Sequence, residues 1–170
     1  LDGSNSNAAL AKLLQAPVVL VIDARGMTRG IAPLILGYQA FDRDVRIAGV
    51  ILNQLGGSRH ESKLRAVIEH YTDVPVVGAV GRDASLEIIE RHLGLIPSNE
   101  HAAAVGRIRY IGETIGRQVD LDRIRAIAAS APALPVEPPF ASPATPGSTV
   151  RIGIARDEAF GFYYPDDLAA

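Results

Sequence analysis

Three short apolar runs constrain the fold of this chain more than any other feature. They span Val18–Ile22, Ile47–Leu52 and Val74–Val80. Each run is continuous rather than alternating, so both faces of the predicted strand are apolar, as in strands that are buried on both sides. Such strands are typical of parallel sheets whose two faces are covered by helices.

Longer stretches with a helical pattern separate and follow these runs. They are Asn7–Leu14, Arg29–Tyr38, Arg59–His70, Ala102–Gln118 and Leu121–Ala129. Ser6 or Asn7 is predicted to cap the first of these helices and Asp120 the last. Ser58, with Glu61 three residues later, has the spacing of a capping box for the third. The sequence therefore predicts an α/β fold around a parallel sheet.

Composition excludes several classes of partner. With 170 residues, 48% of them hydrophobic and 21% charged, the chain fits one domain of ordinary size. Seventeen basic against nineteen acidic residues leave a net charge of -2, which does not favour binding to nucleic acid. The longest apolar run, Ala16–Ile22, is far shorter than the roughly 20 residues that span a bilayer. No targeting peptide is visible either, so we expect a soluble, cytoplasmic protein without membrane contact.

A proline-rich segment divides the chain near its end. Residues 131–149 contain six prolines and are predicted to form an extended linker. The alternating run Val150–Ala155 follows and resembles the first strand of a new domain; an edge strand added to the first domain is the alternative. The predicted organisation is a domain over residues 1–130, the linker over 131–149, and the start of a second domain over 150–170.

Polar residues that follow the predicted strands are the candidates for a ligand site, because ligands of open parallel sheets bind at the carboxyl ends of the strands. Asp23 follows the first run, where its carboxylate either faces a metal-bound phosphate or orders the loop. Asn53 follows the second, where its carboxamide offers a donor and an acceptor to a purine edge or simply makes a turn. The third candidate is the segment Arg91–Pro97.

Several familiar sites are absent from the sequence. The chain has no cysteine and its four histidines lack a metal-ligand spacing, so no metal site from His or Cys is predicted. A Walker A motif, which holds nucleotide phosphates, does not occur. The glycine fingerprint of dinucleotide-binding domains and the nucleophile elbow of α/β-hydrolases are missing as well.

Six short motifs, in order, resemble one enzyme family. They are Asn7–Leu14, Val18–Ala24, Gly37–Asp42, Ala48–Asn53, Arg91–Pro97 and Arg156–Pro165. They are similar to the cobyrinic (or hydrogenobyrinic) acid a,c-diamide synthases, the glutamine-dependent ATP amidoligases of corrinoid biosynthesis, and the resemblance extends over nearly the whole chain.

The resemblance implies a two-domain enzyme. Its first domain is P-loop-like, similar to dethiobiotin synthetase, and takes ATP, Mg²⁺ and a tetrapyrrole polycarboxylate as substrate. Its second domain is a triad-type glutamine amidotransferase that supplies glutamine-derived ammonia. ATP converts the a and c acetate side chains to acyl phosphates, and ammonia then displaces phosphate. The resemblance also allows a homodimer.

Four residues take expected roles from the resemblance. Asn53 corresponds to the strand-end asparagine that binds adenine, and Pro97 to the loop proline that lines the same base. Asp23, with the loop that follows it, falls on the metal or substrate side of the site. Asp2 could be the tail of an acidic Asp-Gly loop with a catalytic role.

Two parts of the expected enzyme do not occur in this chain. The Walker A strand and loop are expected before Leu1, and the glutaminase cysteine after Ala170. We therefore expect an internal fragment that is inactive by itself. Ser4–Ala9 and Gly26–Gly30 differ from the commonest corrinoid pattern, so amidation of sirohaem or nickel-sirohydrochlorin is an alternative. A non-catalytic nucleotide-fold module is a further alternative.

Overall fold

The computed structural model describes residues 3–87 and 101–134, together with residues 151, 153–155, 163, 164 and 168. Asp2, Pro97 and the segment 91–97 lie outside the described residues, as do residues 135–149 of the predicted linker. The chain divides into two compact units, Leu1–Leu86 with Gly112–Leu134, and Glu87–Ile111 with Pro135–Ala170. The candidate site belongs to the first unit.

Helices and strands alternate through the described part of the chain. In order they are α1 (Asn7–Leu13), β1 (Val18–Asp23), α2 (Ile31–Phe41), β2 (Ile47–Leu55), α3 (Ser58–Tyr71), β3 (Val76–Gly81), a 3₁₀ turn (Ala84–Leu86), α4 (His101–Gly116) and α5 (Leu121–Ala129). Each helix or strand predicted up to Ala129 is confirmed, with ends that agree to within three residues. Of the predicted strand Val150–Ala155, the described residues 151 and 153–155 are not in a strand. None of the described helices is long and apolar enough to cross a membrane.

The three strands form one parallel sheet in the order β1-β2-β3. This confirms the predicted parallel α/β architecture. Along β1 and β2 the register pairs Asp23 with Asn53, so two candidate residues that are 30 positions apart in sequence become neighbours. The β2–β3 register is irregular between Leu52 and Leu55, close to Asn53.

The main hydrophobic core lies between the sheet and helices α2 and α3. Ile31 and Ile35 of α2, and Leu64 and Ile68 of α3, are almost completely buried. Each pair is four residues apart, so both members lie on the same face of their helix. They pack in one cluster with strand residues that include Leu52. The apolar runs of the sequence thus become strands with a buried face under two helices.

The opposite face of the sheet is covered less completely than the sequence predicts. On β2, Gly49 faces Ile127 of α5, whose Cδ1 lies 3.2 Å from the position that a Cβ on Gly49 would take. On β1, however, Val21 is 65% exposed. In the described part of the chain, α5 therefore covers this face beside β2 and leaves Val21 of β1 open.

Two of the three predicted helix caps are confirmed. The Ser6 hydroxyl accepts a hydrogen bond from the Ala9 N–H at 3.1 Å at the start of α1. The Asp120 carboxylate accepts one from the Arg123 N–H at 2.9 Å at the start of α5. Each cap satisfies a backbone donor that the helix itself leaves without a partner.

The predicted capping box at Ser58 is wrong. Ser58 is the first residue of α3, and the cap position is taken by Gly57, which has a φ of +129°. Glu61 does not reach back to the helix start but accepts a hydrogen bond from Arg65 Nε at 2.7 Å. Because glycine adopts this backbone conformation without steric penalty, the helix begins one residue earlier than the side chains suggested.

The turn between α4 and α5 extends the sheet beside β3. The Gln118 carbonyl accepts a hydrogen bond from the Ala79 N–H at 2.9 Å, and the Asp120 N–H donates to the Val77 carbonyl at 2.8 Å. The Gln118 side-chain oxygen also accepts from the Gly81 N–H at 2.8 Å, at the last residue of β3. This turn therefore fixes the end of β3.

Candidate functional site

The candidate site lies where β1 and β2 end. We call it the carboxyl edge and define it as Asp23, Asn53 and Gln54 with the two loops that follow, residues 24–30 and 56–57. The structure brings Asp23 and Asn53 together here as register partners. It does not describe Asp2 or Pro97, so their expected roles stay predictions.

Asn53 is half-buried and lies two residues before the end of β2. Its side-chain oxygen accepts a hydrogen bond from the Gln54 N–H at 2.9 Å. Its backbone carbonyl accepts one from the Ala24 N–H at 2.8 Å, which joins β2 to the end of β1. Because an N–H can only donate, the first bond fixes the orientation of the carboxamide: Oδ1 points to Gln54, and Nδ2 carries two donor hydrogens.

Gln54 has a left-handed backbone conformation, with a φ of +61°. This conformation is unfavourable for residues with a Cβ and is seldom found inside a strand. It coincides with the irregular register between Leu52 and Leu55. The Gln54 N–H that binds the Asn53 side chain belongs to this irregular position. No motif in the sequence indicates this irregularity, so sequence reasoning missed it.

Asp23 is held by a local clamp from Arg25. The Arg25 guanidinium donates to both carboxylate oxygens, with Nη2–Oδ2 at 2.6 Å and Nε–Oδ1 at 3.0 Å, and the Arg25 N–H also donates to Oδ1 at 3.0 Å. The pKa of Asp23 lies below its ordinary value, first because of the Arg25 side chain and then because of the Arg25 N–H. As placed, the carboxylate orders the loop, one of the two roles that the sequence left open.

The second arginine of this loop is directed toward α3. Arg29 Nη2 lies 2.6 Å from the hydroxyl oxygen of Tyr71, the last residue of α3, and the guanidinium carbon lies 5.1 Å from the centre of the ring. Both arginines of the loop thus have partners within the chain. The expectation that this loop meets the substrate stays a prediction.

His60 is a further residue of this region that sequence reasoning missed. The sequence marks it only as one of four histidines without a metal-ligand spacing, yet its two ring nitrogens contact the backbone of both loops of the carboxyl edge. The signal in the sequence is weak: a histidine four residues after the first glycine of a Gly-Gly pair.

The described residues do not form a magnesium site by themselves. No group of three or more His, Asp or Glu side chains among them is arranged to hold a metal ion. Asp23 could bind Mg²⁺ only after its oxygens had released Arg25. The carboxamide of Asn53, in contrast, offers a hydrogen-bond donor and an acceptor side by side.

Comparison with known proteins agrees with this fold. The family described as an AAA domain matches residues 2–89. The cobyrinate a,c-diamide synthase of Methanosarcina acetivorans is 50% identical over 99% of this chain, and that of Magnetococcus marinus is 45% identical over all of it. The Listeria monocytogenes synthase is 38% identical over 99%.

The chain spans little more than a third of these relatives, between 36% and 38% of their length. No solved structure matches it. The resemblance that the six motifs indicate is confirmed, because the similarity to cobyrinate a,c-diamide synthases covers the motifs and the residues between them. The chain belongs to the AAA domain family, as a member that is closely similar to part of the cobyrinate a,c-diamide synthases.

Proposed function

We propose that this chain is part of an ATP- and glutamine-dependent amidoligase of cobalamin biosynthesis. The enzyme would convert the a and c acetate side chains of cobyrinic (or hydrogenobyrinic) acid to amides. The names of the relatives and the similarity along nearly the whole chain support the substrate and the product. The match to the AAA domain family supports nucleotide binding.

The observation that carries the proposal is the position and orientation of Asn53. Its carboxamide stands at the carboxyl edge, where ligands of parallel sheets bind. Nδ2 can donate to a ring nitrogen of adenine, while the second lone pair of Oδ1 can accept from the adenine amino group. Guanine presents a carbonyl in place of that amino group, so this arrangement favours ATP over GTP. Pro97 is proposed to line the same base.

The chemistry needs an activated carboxyl group, because a carboxylate is a poor electrophile. A carboxylate oxygen of the tetrapyrrole attacks the γ-phosphorus of ATP and ADP leaves. Ammonia then attacks the carbonyl carbon of the acyl phosphate, phosphate leaves, and a proton is lost. Positive groups at the carboxyl edge would stabilise the charge on the phosphoryl oxygens. Mg²⁺ is proposed to enter with the nucleotide phosphates, given that Asp23 is bound to Arg25.

The proposed division of the chain follows its sequence. Residues 1–130 would be the later part of the synthetase domain, residues 131–149 the linker, and residues 150–170 the start of the glutaminase domain. The chain contains no cysteine, so a thiol-dependent release of ammonia would have to come from outside these 170 residues.

An amidation assay tests the proposal on the longer protein that the proposal implies, of which this chain would be a part. The protein is incubated with ATP, Mg²⁺, glutamine and, separately, cobyrinic acid, hydrogenobyrinic acid, sirohaem and nickel-sirohydrochlorin. Mass spectrometry follows the small decrease in mass as each hydroxyl group is replaced by an amino group. We expect two amidations of a corrinoid acid. If only sirohaem or nickel-sirohydrochlorin is amidated, that tetrapyrrole replaces the corrinoid acid as the proposed substrate. The absence of an amide product with all four compounds would overturn the proposed function.

A further inference from the structure

His60 joins the two loops of the carboxyl edge. It lies in the first turn of α3 and is half-buried. Its Nδ1 accepts a hydrogen bond from the Gly56 N–H at 3.3 Å, and its Nε2 lies 2.8 Å from the Met27 carbonyl oxygen. Gly56 directly follows β2, whereas Met27 belongs to the loop after β1. One ring therefore connects segments that are 29 residues apart in sequence.

The two partners determine where the ring carries its hydrogen. A backbone N–H can only donate, so Nδ1 must present a lone pair to Gly56. A carbonyl oxygen can only accept, so Nε2 must carry the hydrogen that points to Met27. The ring is thus the neutral Nε2–H tautomer and both of its polar atoms are used. While the bridge is intact, neither ring nitrogen can bind a metal ion or accept a proton from a substrate.

Both ends of the bridge are anchored close to the candidate residues. Gly56 lies three residues after Asn53, beyond the strained Gln54 and the buried Leu55. On the other side, Met27 packs against the main core, and its N–H donates to the Ala24 carbonyl at 3.0 Å. A shift of the ring would consequently move both the end of β2 and the loop after β1.

We propose that His60 is the positioning residue that fixes the end of β2, with Asn53, relative to the loop after β1. Its Nδ1 contact maintains the nucleotide side of the carboxyl edge, and its Nε2 contact maintains the Asp23–Gly30 side. The assignment of substrates to these two sides rests on the proposed function, whereas the bridge itself does not.

Nitrogen NMR of the 170-residue chain, labelled with ¹⁵N-histidine, tests the bridge without any activity. At a pH where the ring is neutral, we expect His60 to show a pyridine-like Nδ1 and a protonated Nε2, with a hydrogen-bond coupling or correlation across Nδ1 to Gly56. His60→Gln identifies the signals. A protonated Nδ1, or an even mixture of tautomers, would overturn the bridge.

Two conservative variants separate the two arms in the longer protein. The side-chain oxygen of asparagine occupies the place of Nδ1, so His60→Asn keeps the contact to Gly56. The side-chain nitrogen of glutamine occupies the place of Nε2, so His60→Gln keeps the contact to Met27. His60→Ala removes both, and His70→Gln, an exposed histidine at the other end of α3, is the matched control.

We expect His60→Ala to raise KM for both ATP and tetrapyrrole about tenfold, as for the loss of one good hydrogen bond at each substrate side. His60→Asn should restore KM for ATP, and His60→Gln KM for the tetrapyrrole, while His70→Gln matches the wild type. Equal behaviour of the Asn, Gln and Ala variants, all folded by circular dichroism, would overturn the positioning role, as would wild-type constants in His60→Ala. If His60→Ala does not fold, the Asn and Gln variants decide.

Failure of the proposed function gives a different result. If the wild-type protein amidates no tetrapyrrole, the proposed function fails, but the NMR test still decides whether the bridge exists. In that case the binding of ATP to the Asn and Gln variants, measured by calorimetry, replaces the kinetic comparison. Equal affinity in both variants would then overturn the assignment of the Nδ1 arm to the nucleotide side.

Discussion

At the scale of a single residue, the proposed function gives the carboxamide of Asn53 two purposes. Its oxygen accepts a hydrogen bond from the N–H of Gln54, a residue with a left-handed backbone conformation. This contact leaves Nδ2 as the donor toward a ligand. A carboxylate at this position would keep the acceptor for Gln54 and lose the donor, so the two purposes can be separated by substitution.

We therefore expect Asn53→Asp and Asn53→Ala to differ in stability but not in nucleotide binding. Both should weaken ATP binding by about tenfold or more, because both remove the donor to the base. Only Asn53→Ala should lower the free energy of unfolding, by about 1 kcal/mol, since it leaves the Gln54 N–H without its acceptor. Calorimetry with ATP and urea unfolding measure the two effects. Wild-type affinity in Asn53→Asp would refute the role of Nδ2.

A pH dependence follows from two aspartates whose pKa values lie below their ordinary value. Asp23 owes this to the hydrogen bonds from Arg25, and Asp42 mainly to Lys12 Nζ at 2.8 Å. An aspartate whose pKa is lower in the folded state stabilises the fold at pH values above its unfolded-state pKa of about 3.9. This contribution is lost as the pH falls through the folded-state pKa.

The free energy of unfolding should therefore decline in acid, and less steeply in the double variant Asp23→Asn/Asp42→Asn. Urea unfolding at several pH values between about 5 and 3 measures the slope. Asp122→Asn is the control, because the Asp122 side chain is 92% exposed and its contact with Arg125 lies at the surface. A double variant that declines as steeply as the wild type would contradict this assignment.

At the scale of helices and strands, the sequence predicts what depends on local patterns. Apolar runs and the capping side chains of Ser6 and Asp120 indicate where β1 to β3, α1 and α5 lie. The start of α3 was not predictable in the same way, because it depends on the positive φ of Gly57 rather than on a side chain. The extension of β2 to Leu55 likewise depends on the irregular backbone at Gln54.

The contact between β3 and the turn before α5 requires a residue without a side chain. A Cβ on Gly78 would lie 2.9 Å from Val119 Cγ2 and 3.2 Å from Ile51 Cγ1. Both neighbours are β-branched and stiff, so they cannot easily move aside. Close packing of the turn that holds the end of β3 thus depends on glycine at this position.

We expect Gly78→Ala to lower the free energy of unfolding by about 1–3 kcal/mol, the usual effect of an overpacked site. The matched control is Gly37→Ala in α2, where a Cβ meets no atom within 4 Å. There alanine should raise the free energy of unfolding by about 0.5–1 kcal/mol, because glycine is unfavourable inside a helix. Urea unfolding of both variants checks the signs. If the free energy of unfolding of Gly78→Ala equals that of the wild type, the turn can shift to accommodate the Cβ and the prediction is wrong.

At the scale of the whole molecule, the sequence indicates the candidate residues but not how they are held. The position of Asn53 after an apolar run was sufficient to place it at the carboxyl edge beside Asp23. Gln54 and Arg25 contact these two residues directly, and the ring of His60 contacts the loops that follow them. These contacts depend on how the loops after two strands approach each other, which no single segment of the sequence encodes.

The absence of cysteine separates the two halves of the proposed reaction. A triad-type glutaminase needs a thiolate, and this chain has none, just as it has no Walker A motif to hold the phosphates of ATP. The nucleotide contacts proposed for Asn53 address the base alone. Under the proposed function, the chain would carry part of the synthetase half, and a thiolate for the release of ammonia would come from outside these 170 residues.

We accordingly expect the purified 170-residue chain neither to release glutamate from glutamine nor to release ADP from ATP, even with a corrinoid acid present. The longer protein that the proposed function implies should do both under the same conditions. Enzymatic assays of glutamate and ADP measure the two activities, and circular dichroism shows that the 170-residue chain is folded while they are run. Glutamate release by the folded chain alone would mean that a residue other than cysteine attacks glutamine.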